Sequence, residues 1–85
     1  MRLLVSMLVF AQIRMARAAL GWNISDLASE ASVSVSTIKR VETPEGFGKA
    51  TAANLKLIKQ TLEQAGIEFV GSAEEGPGVR LWKKS

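Results

Sequence analysis

The chain has 85 residues, enough for one domain, with 47% hydrophobic residues, 22% charged residues and a net charge of +3. It contains no cysteine and no histidine, which excludes disulfides, thiolate metal sites and histidine-based acid–base catalysis. The sequence has no glycine-rich phosphate loop and no pair of carboxylates in a pocket-like setting. We therefore expect a globular protein that is not an enzyme and has no cofactor and no metal.

The chain begins with a mostly apolar segment, residues 1–10, which is too short to span a bilayer. It has some features of a signal peptide, so a secreted peptide is one alternative. Arg14 and Arg17 lie where a cleavage region is usually uncharged, which argues against secretion. We expect a cytoplasmic protein without a membrane-spanning segment, translated from Met1 or Met7. In such a protein, we expect residues 1–10 to form a buried strand, a helix extension or an oligomer contact.

The next segment, residues 11–66, has the apolar periodicity of helices. It predicts about four helices, over 12–20, 24–31, 35–42 and 51–65. Pro44, Gly46 and Gly48 predict a loop over 43–48, between the third and fourth helices.

The second and third helices are short and have clear starting signals. Asn23 and Asp26 have a spacing close to that of a capping box, and Ser34 predicts a second N-cap. Two short helices joined by a tight turn are typical of a helix-turn-helix, whose second helix enters the DNA major groove. On this spacing alone, an αα-hairpin without a ligand is the alternative. The side chains expected between the two helices are Ala28, Val33, Ile38 and Val41.

The last part of the chain, residues 67–85, alternates as two strands over 67–70 and 79–83, separated by a turn-rich loop. These strands predict an antiparallel β-hairpin followed by a basic tail. An isolated hairpin is only marginally stable, so it is expected to pack on the helices or to pair with another chain.

Several short motifs carry a resemblance to a known family. They are Gln12-Ile-Arg-Met-Ala-Arg17, Leu20-Gly-Trp22, Asp26-Leu-Ala28, Val33-Ser-Val-Ser-Thr-Ile-Lys-Arg-Val-Glu42, and the tail motifs Gly66-Ile-Glu-Phe and Gly76-Pro-Gly-Val-Arg-Leu. In this order they resemble the Cro/C1-type (XRE-family) helix-turn-helix regulators, in a short form with a C-terminal hairpin. The resemblance implies a mainly α, lambda-repressor-like bundle of about four helices with a C-terminal β-hairpin.

The resemblance also implies roles for single residues. Arg17 and Glu42 would form a structural ion pair. The residues facing DNA would be Ser34, Val35, Ser36, Thr37, Lys39 and Arg40. Of these, Val35, Ser36 and Lys39 would contact base edges, and Ser34, Thr37 and Arg40 would contact phosphates.

The chain departs from the family pattern at three positions. Ile24 stands where the family often has a glutamine that contacts the DNA backbone. Ser32 stands where a turn glycine is usual, at a cost of about 1 kcal/mol if its φ is positive. Val35 stands at a position that is frequently long and polar, and it could contact only a thymine methyl group.

The resemblance implies a bacterial- or phage-type transcriptional regulator, acting as a repressor, that binds specific double-stranded DNA through helix 35–42. A homodimer is expected, because one such helix reads too few base pairs and paired half-sites suit this fold. The alternative is a protein-interaction or antitoxin module with a degenerate helix-turn-helix. Such a module would bind a protein partner through the hairpin or through the N-terminal segment.

Overall fold

The computed structural model describes residues 10–72 and 74–82. Over these residues the elements are α1 (Phe10–Leu20), α2 (Ile24–Ala31), α3 (Val35–Val41), α4 (Pro44–Lys49), α5 (Ala52–Gln64), β1 (Ile67–Val70) and β2 (Gly78–Leu81). The expected fold class, a mainly helical bundle with a C-terminal β-hairpin, is confirmed. The expected N-terminal segment, apart from Phe10, and the basic tail at Lys83 and Lys84 lie outside the described residues.

The prediction of a loop over 43–48 is wrong, because this segment forms α4. Thr43 is its N-cap and accepts the Gly46 N–H at 3.1 Å. Pro44 is at the first helical position, where its missing N–H and fixed φ favour a helix start. Glu45 lies in the first turn, where a negative charge is favourable. The proline both follows the end of α3 and begins the next helix.

The core lies where α1, α2, α3 and α5 meet below the hairpin. Its fully or nearly buried hydrophobic residues are Ile13, Ala16, Leu27, Ala28, Ala31, Ile38, Val41, Ile58, Leu62 and Ile67. Each fully buried leucine or isoleucine contributes about 1.5–3 kcal/mol relative to an exposed one. Helix α4 has no buried residue, although its Phe47 packs against the edge of this core. The described helices include none that is both long and apolar enough to cross a membrane.

The two strands form the predicted antiparallel hairpin, with Ile67 opposite Leu81 and Val70 opposite Gly78. The second strand is β2 over Gly78–Leu81, and the Lys83 end of the predicted strand lies outside the described residues. Helix α1 packs against β2 and α5 packs against β1. The expectation that the hairpin packs on the helices is therefore confirmed.

The Gln12 side chain connects the hairpin to α1 through hydrogen bonds. It is fully buried, which is rare for an uncharged amide inside a small core. The amide nitrogen Nε2 donates to the Gly78 carbonyl at 2.8 Å and to the Val70 carbonyl at 3.2 Å. Because these carbonyls belong to opposite strands, one side chain joins α1 to both.

On the outer face of the hairpin, three side chains form an exposed cluster. The Glu68 carboxylate accepts a hydrogen bond from the Trp82 indole N–H at 2.8 Å and one from Arg80 at 3.0 Å. The bond from Trp82, with the nearby charge of Arg80, holds the pKa of Glu68 below its usual range. The Arg80 guanidinium also lies 5.7 Å from the centre of the Trp82 ring.

Candidate nucleic-acid interface

Helix α2 and the turn after it set the position of α3. The Asn23 side chain accepts the Asp26 N–H at 2.7 Å, and the Asp26 carboxylate accepts the Asn23 N–H at 2.9 Å. This reciprocal pair is the predicted capping box. The helix ends at Ser32, whose φ of 59° lies in the left-handed region that normally favours glycine. The Val33 N–H bonds to the Ala28 carbonyl at 3.0 Å, so backbone bonds close the turn without a glycine.

The start of α3 carries a cluster of three hydroxyl groups. Ser34 is the N-cap, as predicted, and its Oγ accepts the Thr37 N–H at 3.1 Å. The same oxygen lies 2.8 Å from Thr37 Oγ1 and 3.1 Å from Ser36 Oγ. Ser34 and Ser36 are exposed, whereas Thr37 is half-buried. Since a hydroxyl proton can rotate, each of these groups can donate to an incoming acceptor such as a phosphate oxygen.

Helix α3 has an apolar underside and a mixed outer face. Ile38 and Val41 are buried against the core. Val35 is 40% exposed, and Lys39 and Arg40 are also exposed. Neither basic side chain forms an ion pair with any described residue. The outer face therefore combines hydroxyl groups, the exposed apolar side chain of Val35 and two cations that are available to a ligand.

The Arg17–Glu42 ion pair expected from the resemblance is present at the end of α3. The guanidinium makes two hydrogen bonds to the carboxylate, from Nε to Oε2 at 2.7 Å and from Nη2 to Oε1 at 2.9 Å. The side chains are only 17% and 7% exposed. These bonds raise the pKa of Arg17 above its ordinary value. Arg17 also donates to the Trp22 carbonyl at 3.2 Å, so it joins α1, the α1–α2 connection and α3.

The junction between α3 and α4 is a very close contact that sequence reasoning missed. The Thr43 hydroxyl donates to the Arg40 carbonyl at 2.8 Å, and the Thr43 N–H bonds to the same oxygen at 3.1 Å. A Cβ atom on Gly46 would overlap this carbonyl oxygen and lie 2.6 Å from its carbon. The signal that could have revealed α4 is Thr43-Pro44-Glu45, an N-cap followed by proline and an acidic residue.

The structure brings the six candidate DNA-facing residues together over 34–40 on one short helix and its cap. Two other basic residues, Arg14 and Lys49, are exposed on α1 and α4. Ile24 is half-buried and packs against the core, so the departure at this position serves packing.

Among the described residues, no group of three or more acidic side chains is placed to hold a metal ion. Comparison of the chain with models of protein families and with curated proteins gives no match.

Proposed function

We propose that this protein binds double-stranded DNA through α3 in the major groove, as a Cro/C1-type (XRE-family) regulator. One observation supports this most strongly. A short capped helix is held by its apolar underside against α2 and the core, and its outer face exposes hydroxyl groups and two unpaired cations. This is the arrangement with which a helix-turn-helix presents its recognition helix. The proposed role is that of a bacterial- or phage-type repressor in the cytoplasm.

The side chains on the outer face of α3 fall into two groups, according to their length and chemistry. Ser34, Thr37 and Arg40 are proposed to contact phosphates, which position the protein and dominate its affinity. Val35, Ser36 and Lys39 are proposed to contact base edges, and the exposed Val35 suits a thymine methyl group.

The test measures binding to a pool of random-sequence duplexes at increasing salt, followed by selection of the bound sequences. Affinity is expected to fall steeply with salt, because each phosphate contact adds about 0.9 to the slope of log affinity against log salt. Replacing Lys39 and Arg40 by alanine together is expected to weaken binding at least about tenfold and to reduce that slope.

A matched control removes two charges from another surface. Lys56→Ala with Lys59→Ala makes the same change in net charge on α5, where Lys59 pairs with Glu63 at 2.7 Å. This control is expected to retain most of the affinity. If both double variants lost the same amount of DNA affinity, the binding would result from nonspecific electrostatic attraction by the net charge. No binding to any duplex at low salt would overturn the proposal in favour of a protein-interaction module.

A further inference from the structure

The outer edge of β2 has backbone groups without partners among the described residues. Trp82 donates its N–H to the Gly66 carbonyl at 2.7 Å, which extends the ladder of the hairpin by one pair. Hydrogen-bonded pairs alternate along an antiparallel ladder, so the backbone groups of Val79 and Leu81 point away from β1. Within the described chain, neither residue forms a backbone hydrogen bond outside the hairpin. Such an edge can accept one more strand.

The side chains at this edge are apolar and incompletely covered. Leu81 is 46% exposed and Trp82 is 57% exposed. Leu81 lies on the core-facing side of the sheet, because it is paired with Ile67, which is only 3% exposed. A strand added beside β2 would therefore extend the apolar side of the sheet past Leu81.

The chain enters α1 beside this edge. Gln12, in the first turn of α1, donates to the carbonyl of Gly78, the residue at which β2 begins. Helix α1 starts two residues earlier, at Phe10, and packs against β2. The segment before Phe10 therefore reaches the helix at the Gly78 end of β2. Since β2 runs away from that end, a preceding strand that lay along it would be antiparallel to it.

The sequence before α1 has the composition of a covered strand. Residues 3–9 read Leu-Leu-Val-Ser-Met-Leu-Val, without a charge, a proline or a glycine, and with Ser6 as the one polar residue. A continuous apolar run of about four to eight residues is consistent with a buried strand. Its side chains need an apolar surface to cover them, and the nearest one along the chain is the edge of β2.

We propose that residues 3–7 pair with the outer edge of β2 as a third strand, antiparallel to it, with Ser6 opposite Arg80. Residues directly opposite each other lie on the same face of a sheet. Ser6 then lies on the outer face of the sheet, where Arg80 pairs with Glu68 at 3.0 Å. The one polar residue of the segment is thus placed in the polar cluster of the hairpin.

The same register places apolar residues on the core-facing side. Val5 is opposite Leu81, and Met7 is opposite Val79. These are the two residues of β2 whose backbone groups point outward, so their N–H and carbonyl groups gain partners in the added strand. The exposed Leu81 side chain gains Val5 as an apolar neighbour.

The chain is long enough to make this connection. Leu8 and Val9 join the strand to α1, and two residues are within the usual range of about 2–6 for a strand-to-helix connection. The three residue steps from Met7 to Phe10 span up to about 10 Å. Phe10 is about 3 Å of helix rise from Gln12, whose side chain already reaches Gly78.

The added strand decides what else can use the edge. With residues 3–7 in place, the edge of β2 is closed to a strand of any other chain. A chain translated from Met7 would lack residues 3–6 and would leave the edge open to such a partner. This proposal is independent of DNA binding, because α3 packs on α2 and α4 and not on the edge of β2.

The first experiment uses the absence of cysteine from the chain. In the proposed register Ser6 and Arg80 form a non-hydrogen-bonded pair, with Cα atoms about 4.5 Å apart, which a disulfide can bridge. Ser6 and Glu68 are two strand spacings apart, about 10 Å, which is too far. The test compares Ser6→Cys with Arg80→Cys against Ser6→Cys with Glu68→Cys. Both double variants break the same ion pair, so each is the control for the other.

With oxidised glutathione as the oxidant, the Ser6–Arg80 pair is expected to close within one chain at least about tenfold faster than the Ser6–Glu68 pair. The product is a monomer without free thiols. Equal rates for the two pairs would overturn the proposal. So would a covalent dimer of the single variant Arg80→Cys together with no closure of the Ser6–Arg80 pair, because a second copy would then occupy the edge.

The second experiment measures amide exchange at Leu81 in the full chain. Val5→Pro removes an N–H that bonds to β2 in this register, whereas the Ser6 N–H points away from β2, where a proline is tolerated. Val5→Pro is expected to accelerate exchange at Leu81 at least about tenfold more than Ser6→Pro does. Rapid exchange at Leu81 in the parent chain, or equal effects of the two prolines, would overturn the proposal.

Discussion

The Arg17 side chain is shared by three parts of the fold. Its two bonds to Glu42 and its bond to the Trp22 carbonyl connect α1, the connection to α2, and the C-cap of α3. Glu42 is almost completely buried, so its charge depends on this one partner for compensation. The end of α3 is thus held by a residue of α1, which is 25 positions earlier in the sequence.

Replacing Arg17 by methionine is expected to lower the free energy of unfolding by about 2–3 kcal/mol, because a buried carboxylate is left without its partner. Urea denaturation followed by circular dichroism measures the loss. The control is the double change of Arg17 and Glu42 to methionine, which removes both charges and is expected to recover much of the stability. A single variant as stable as the parent would show that the pair contributes nothing.

Much of the candidate site was predictable from interactions between residues that are close together in the sequence. The capping box at Asn23 and the N-cap at Ser34 each depend on groups within three residues along the chain, so the sequence contains the whole interaction. The positive φ of Ser32 was expected from the family pattern alone, since nothing in the residue itself demands it. The buried Gln12 was not foreseen as a core residue, because its acceptors are 58 and 66 residues away.

At the scale of elements, α4 shows how a correct local rule led to a wrong prediction. Two glycines in six residues argue against a helix by propensity. Gly46 is there for a different reason, since any side chain would overlap the Arg40 carbonyl oxygen at the end of α3. That contact joins two elements, and the sequence of either element alone does not contain it. The start of α4, in contrast, was encoded locally by Thr43 and Pro44.

The two glycines of α4 therefore predict opposite effects of alanine. Gly46→Ala is expected to destabilise the domain by about 1–3 kcal/mol, because α4 must move away from α3 to admit the Cβ. At Gly48 a Cβ would meet no atom within 4 Å, so Gly48→Ala is expected to stabilise by about 0.5–1 kcal/mol through helix propensity. Urea denaturation of the two variants checks this, and shifts in the same direction would contradict the close contact.

At the scale of the whole molecule, the hairpin is part of the core. Ile67 of β1 belongs to the buried hydrophobic cluster, and the Gln12 side chain of α1 donates hydrogen bonds to both strands. Because the amide of Gln12 is fully buried, its bonds hold the sheet at a fixed place on α1. The hairpin and the helices are thus parts of one packed body.

Gln12→Met is expected to cost about 1–2 kcal/mol, since the volume is kept while the hydrogen bonds to the hairpin are lost. Amide exchange is expected to accelerate most in β1 and β2 and least in α2 and α3. The control is Gln60→Met, an exposed position on α5 where little change is expected. Uniform acceleration across all elements would mean that Gln12 supports the whole core equally and not the docking of the hairpin.

The two bonds of Gln12 also bear on the order in which the protein is made. Synthesis proceeds from the N-terminus, so α1 is made long before Gly78, the later of the two strand acceptors of its buried amide. Until that residue has been added, the buried amide of the first helix can bond to the Val70 carbonyl of β1 but not to β2. A nascent chain can form its helices early, but the bond between α1 and β2 cannot form before residue 78 has been joined. Truncation before residue 78 would therefore remove a buried hydrogen bond of the first helix as well as shortening the chain.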